Sequence, residues 1–148
     1  MRLLIVSSTL LLFFLTFGCS DIHNTPSAIV LKHFESKRHG DIQALQTTMT
    51  REAYLLLVSR HINALTGTGK VFEYDKAHYM TDPTSLGRLE SKLAEFFKGS
   101  SHPTIELISE NAVDESSREI YLKLDGKQER VLLIDIDSQW KISRTPGD

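Results

Sequence analysis

Apolar positions change their spacing twice along the chain, and each change marks a boundary. Leu3 to Phe17 is an apolar run without a charge. From Thr25 to about Lys98 the apolar residues recur every three or four positions, the spacing of helices with one buried face. From Thr104 onward they alternate, as in strands with one face in and one face out.

Punctuation divides the middle region into four helices. Thr25-Pro26 reads as an N-cap followed by proline at the first helical position, so the first helix starts there and runs to about His39. Ile29, Val30, Phe34 and His33 form its apolar side. Lys37, Arg38 and His39 suit the negative end of the helix dipole, and Gly40 is a natural stop. Asp41 caps a short second helix, Ile42 to about Met49, that buries Ile42 and Leu45. Thr50 caps a third, whose stripe of Tyr54, Leu57, Val58, His61, Ile62 and Leu65 is the clearest in the chain. A weaker expectation is a short strand at 70–75. Asp82-Pro83 opens a fourth helix, to about Lys98, with Leu86, Leu89, Leu93, Phe96 and Phe97 as its buried face and Gly99 as its stop.

The strands follow. Thr104 to Ser109 alternates through Ile105 and Leu107, and Arg118 to Leu124 through Ile120, Leu122 and Leu124. Asp125-Gly126 is a strong hairpin signal. A two-residue loop there sets Ile120 opposite Val131 but Leu122 opposite Glu129, so a longer or bulged loop stays open as an alternative. Arg130 to Ile136 is apolar at nearly every position, which predicts a central strand covered on both faces. Ser138-Gln139 begins a tight turn, and Trp140 and Ile142 share one face of a last strand. Helices first and an antiparallel meander last give an α+β domain, N-terminal helices packed on a C-terminal sheet.

The leader adds the compartment. Arg2, the apolar run and the small Gly18 are the parts of a secretory signal, and the run is shorter than the ~20 residues of a membrane span. Cys19 is the sole cysteine. Leu15-Thr16-Phe17-Gly18-Cys19 resembles the lipobox of bacterial lipoproteins, in which the peptidase cuts before the cysteine and the thiol carries a diacylglycerol. That resemblance implies a signal peptide at 1–18, lipidation of Cys19, a tether at 19–24 and a domain at 25–148. It implies a cell-envelope location facing the periplasm or exterior, with Ser20 favouring the outer membrane in a Gram-negative host. Acyl chains contribute ~0.8 kcal/mol per buried CH₂, so two or more hold a protein on a bilayer. The alternative is an ordinary signal peptide and a stray cysteine.

Composition narrows the function. Seventeen Lys and Arg against nineteen Asp and Glu give a formal net charge of −2, and loss of Arg2 makes the mature chain one unit more negative. No basic block interleaved with aromatic residues is present, which argues against nucleic acid. Gly69-Lys70 lacks the upstream glycine spacing and the following Ser or Thr of a phosphate loop.

A second resemblance rests on short motifs. The Thr25-Pro26 opening, the Arg38-His39-Gly40-Asp41-Ile42-Gln43-Ala44-Leu45 corner and the Gln139-Trp140-Lys141-Ile142 ending are similar to the NTF2-like (cystatin-like) superfamily, and to its small bacterial lipoproteins of the DUF4878 type. The resemblance implies a curved sheet closed by helices around a cone-shaped cavity. Its members include enzymes, binding modules and association domains, so fold alone does not settle function.

Candidate chemistry is sparse. Six histidines show no metal-ligand spacing, and neither a metal nor a cofactor is implied. His61 lies on an apolar stripe. With a nearby carboxylate it would serve acid–base work in a small isomerase, dehydratase or hydrolase, and the plainer reading is a core-edge histidine bonded to a backbone carbonyl. Tyr54, His61, Tyr79 and Trp140 are the candidate ligand-binding residues. Asp125, Asp135 and Asp137 read as solvated carboxylates before they read as an ion site. The leading expectation is a non-catalytic envelope lipoprotein, held to membrane lipid through Cys19, that binds a small apolar ligand or a protein partner. The alternatives are the enzyme built on His61 and a homodimer formed through the open sheet face.

Overall fold

The computed structural model describes residues 24–66 and 81–146. Cys19, Tyr79 and the expected strand at 70–75 lie outside the described residues. Among the described residues four helices precede four strands: α1 (Pro26–His39), α2 (Ile42–Thr48), α3 (Arg51–Thr66), α4 (Pro83–Gly99), β1 (Ile105–Ala112), β2 (Ser117–Leu124), β3 (Lys127–Ile136) and β4 (Gln139–Arg144). The strands form one antiparallel sheet in the order β1-β2-β3-β4. The chain is therefore an α+β domain with its helices ahead of its sheet.

Side-chain caps start the helices where the sequence places them. Thr25 Oγ1 accepts the Ala28 amide at 3.2 Å, Asp41 Oδ1 the Ala44 amide at 2.9 Å, Thr50 Oγ1 the Ala53 amide at 3.2 Å and Asp82 Oδ2 the Ser85 amide at 2.7 Å. Each supplies an acceptor to an amide that has no partner within the first turn. The α1–α2 corner turns on Gly40, at φ 64°, with the Gly40 amide on Lys37 O and the Asp41 amide on Ser36 O. This left-handed residue also lets α4 approach. A Cβ at position 40 would lie 2.5 Å from Ala94 O.

The core is the covered face of the sheet. Ile120, Leu122, Val131, Leu133 and Ile142 are each no more than 1% exposed, beneath Val30, Leu45, Val58 and Ile62 of the helices. The helices do not share this face equally. α1 touches β1, β2 and β4, and α2 and α3 touch β4, whereas α4 packs on α1, α2 and α3. Leu89, Leu93 and Phe97 of α4 are buried there, but Phe96 is 41% exposed, contrary to its expected place in the core. Adjacent residues point about 100° apart around a helix, so Phe96 and Phe97 cannot both face inward.

The helical half is joined to the sheet along β4. Met49 forms a parallel bridge with Ile142, the Thr50 amide donates to Ile142 O at 2.9 Å, and Lys141 Nζ donates to Thr47 O. Asn24 fastens the other end of α1. Its Nδ2 donates to Ser138 O at 2.7 Å and its Oδ1 accepts the Trp140 amide. The last residue read as tether thus bonds to the sheet.

The structure resolves one strand alternative and changes two strand expectations. The β2–β3 hairpin takes the tight two-residue loop, with Asp125 at φ 50° and Gly126 at φ 81°, and keeps Ile120 opposite Val131 and Leu122 opposite Glu129. Leu122 finds its apolar neighbour on the other side, in Leu107 of β1. β3 is central, but it is not covered on both faces. Val131 and Leu133 are buried, Leu132 and Ile134 are half-buried, and Ile136 is 42% exposed. The helices cover one face alone, and the other carries ion pairs between Arg130 and Glu119 and between Lys123 and Glu106. β1 is also longer than its alternation suggests, because pairing resumes beyond a bulge between Leu107 and Ser109.

Gly40→Ala tests the corner. It combines a strained left-handed alanine with a backbone clash, so we expect a loss of about 2–3 kcal/mol, read by urea unfolding. A loss below about 0.5 kcal/mol would contradict the close α1–α4 approach.

Candidate functional site

A cleft of about 250 Å³ opens where the C-terminal ends of α1 and α4 meet the rim of the sheet. Phe34, Phe96 and Phe97 form its apolar wall, and Lys37, Arg38, His61 and His102 bring nitrogen to it. Ile105 and Leu124 form the sheet side, and no aspartate or glutamate is among the described residues that line it. A shallower groove of about 630 Å³, past Leu31 and Pro103, shares Phe34, Arg38 and His102 with the cleft.

Each cleft side chain is placed by its element. Lys37 sits in the last turn of α1, and its ammonium lies 5.1 Å from the centre of the Phe97 ring. At that distance the ring face attracts the cation, and the aliphatic stem covers apolar surface. Arg38 reaches Glu35 at 3.7 Å on an exposed face, a pair worth little in water. His61 Nδ1 donates to Leu57 O at 2.8 Å, one turn back in α3. Its ring meets Phe96 and Phe97 edge-on, with centroids 5.2 Å and 5.4 Å away. His102 closes the cleft from the α4–β1 loop, with Nε2 out of water and without a hydrogen-bond partner.

Electrostatics follow from this geometry. Burial pulls the Lys37 ammonium below its ordinary range, and the Arg60 charge adds to the shift. Burial likewise lowers His61, opposed by its bond to Leu57 O and assisted by Lys37 and Arg60. Desolvation leads both shifts, and the neighbouring cations add to it.

The sequence-derived candidates do not converge. His61 lies in the cleft and bonds to a backbone carbonyl. Tyr54 is buried at a different cavity, of about 340 Å³, with Gln46, Arg51 and Leu86. There its hydroxyl donates to Glu90 Oε1 at 2.7 Å, a carboxylate oxygen shared with Gln46 Nε2 at 2.8 Å. Burial and that bond to Glu90 push the Tyr54 pKa upward. Trp140 packs against the core, with the Arg118 guanidinium 5.2 Å from its ring centre. Asp125 sits at one end of β3, holding the Thr104 amide at 2.8 Å, and Asp137 sits in the turn at the other. Among the described residues no group of three or more His, Cys, Asp or Glu side chains is placed to hold a metal ion. The cleft residues that sequence reasoning passed over are Phe34, Lys37, Arg38, Phe96, Phe97 and His102. The one local signal was the Phe96-Phe97 pair, which must split across two faces of its helix.

Comparison with known proteins finds no matching family model, no similar curated protein and no similar solved structure.

His33 gives a pH test of this end of α1. It is 2% exposed, Nδ1 has no partner, and burial with help from Lys37 lowers its pKa to about 3. An unfolded chain takes up that proton first as pH falls through 6.5. The stability held by neutral His33 is complete above that value and is lost as pH falls toward 3. The limiting slope is about 1.4 kcal/mol per pH unit. Between about pH 7 and about pH 5 the melting temperature should fall more steeply for the native chain than for His33→Leu. Parallel profiles would show that the imidazole is not buried neutral.

Proposed function

We propose that this chain is a cell-envelope lipoprotein whose α+β domain binds a small ligand without transforming it. The observation that carries the binding half is the cleft, where three phenylalanines and four nitrogen-bearing side chains converge between the ends of two helices and the sheet rim. His61 donates its Nδ1 proton to Leu57 O, and no carboxylate is among the described residues that line its cleft. The Leu57 bond fixes the tautomer and leaves Nε2 free, but none of the described lining residues is a carboxylate that would stabilise the protonated ring. The geometry therefore favours binding over the isomerase, dehydratase or hydrolase alternative.

The anchoring half is supported by the sequence. The apolar leader ends in Gly18-Cys19, and no other cysteine competes for the role. Acyl chains on Cys19 would be the anchor. The order of elements supports an NTF2-like type of fold, with the cleft at the mouth of the helix–sheet interface.

Native mass spectrometry of the chain released from its host's membrane tests both halves. The expected mass begins at Cys19, carries acyl groups, and shows a non-covalent small-molecule adduct that Phe97→Ala loses. An unacylated product retaining residues 1–18 would overturn the anchoring. A bare acylated chain, with no adduct on either variant, would overturn the binding.

A further inference from the structure

We infer that the cleft selects a small carboxylic acid with an apolar body, its carboxylate set between Lys37, Arg38 and His102 and its body against Phe34, Phe96 and Phe97. This rests on the binding function proposed above and adds the charge and class of the ligand.

Three observations carry it. The first is the sign of the cleft. Lys37 makes no ion pair among the described residues, and its contact there is the Phe97 ring. Arg38 has Glu35 as an exposed partner, and that carboxylate also takes His39 Nε2 at 2.7 Å. Glu35 lines the adjoining groove, not the cleft.

The second is that the helix ends do not account for these cations. Both α1 and α4 direct their negative C-terminal ends here, and basic residues often serve to balance such dipoles. Two terminal carbonyls of each helix already have partners. Lys37 O and Ser36 O accept the Gly40 and Asp41 amides, Phe97 O accepts the Ser100 amide, and Phe96 O accepts Ser100 Oγ at 2.6 Å. Lys37 instead lies across an aromatic ring inside the cleft, where its ammonium is held short of full hydration.

The third is His102. A buried ring nitrogen without a partner costs free energy unless something arrives to pair with it. Turned toward the cleft, it would donate to a carboxylate that faces an ammonium and a guanidinium. The planar fork of Arg38 suits two carboxylate oxygens, and Lys37 adds a point charge. Steric limits set the rest. A cleft of about 250 Å³ holds a body of one aromatic ring or a short acyl chain, and the exposed Phe96 ring marks the way in.

The probes are 4-phenylbutyrate and its neutral amide, titrated into the full chain in lipid nanodiscs and followed by ¹⁵N-detected histidine NMR. The carboxylate should bind with a millimolar or tighter dissociation constant, shift the His102 ring, and bind about tenfold more tightly than the amide. Lys37→Met keeps the stem over Phe97 and removes the charge. It should lower carboxylate affinity to about that of the amide. Equal binding of both probes by the native chain would overturn the charge selection and leave the binding function standing. Binding of neither would overturn both. A preference that survives Lys37→Met and Arg38→Met would place the anion elsewhere and overturn the site.

Discussion

Everything in this fold answers to a sheet that is apolar on one face only. Four antiparallel strands satisfy each other's backbone groups, but they leave Ile120, Leu122, Val131, Leu133 and Ile142 on a single surface that water would otherwise meet. Burying a large aliphatic side chain contributes about 1.5–3 kcal/mol, so that surface dominates the balance once helices cover it. α1, α2 and α3 provide the cover, and α4 packs upon them in turn. The join is directional. The α2–α3 junction pairs with β4 through Met49 and Thr50, which closes one edge of the sheet, while β1 at the other edge is exposed along nearly its whole length.

The cleft is a consequence of that arrangement. Helices laid over a sheet must end somewhere, and α1 and α4 end together above the Ile105–Leu124 rim. Gly40 makes this possible, because its missing Cβ admits the Ala94 carbonyl and its left-handed backbone ends α1 there. The gap between helix ends and sheet is then lined by whatever the final turns carry. Here those turns carry aromatic rings and cations, with no acid among the described lining residues. Such a surface can hold an apolar body and a negative charge.

Much of the fold was legible because its signals are local. Thr25-Pro26, Gly40-Asp41, Thr50 and Asp82-Pro83 each pair an amide or a backbone conformation with the one residue type that satisfies it, and the helices begin and end accordingly. The β2–β3 hairpin was written in Asp125-Gly126. The double-sided cover expected for β3 was misread, because Leu132 and Ile134 are apolar without being enclosed, and a sequence cannot show that the facing layer is missing. The cleft was hidden for another reason. Lys37, His61, Phe97 and His102 come from four separate segments, and each has an ordinary local role: helix-end charge, core edge, core and loop. Their convergence depends on how α1, α3 and α4 pack, which no single window of sequence contains.

Native-state hydrogen exchange on the full chain tests the one-sided sheet most directly. The account predicts that amides from Ile120 to Leu122 and from Val131 to Leu133 exchange slowest, through global unfolding alone, with those from Glu110 to Ala112 of the exposed β1 strand clearly faster. Protection of β1 equal to that of β2 and β3, or greater protection in α4 than in either central strand, would contradict it.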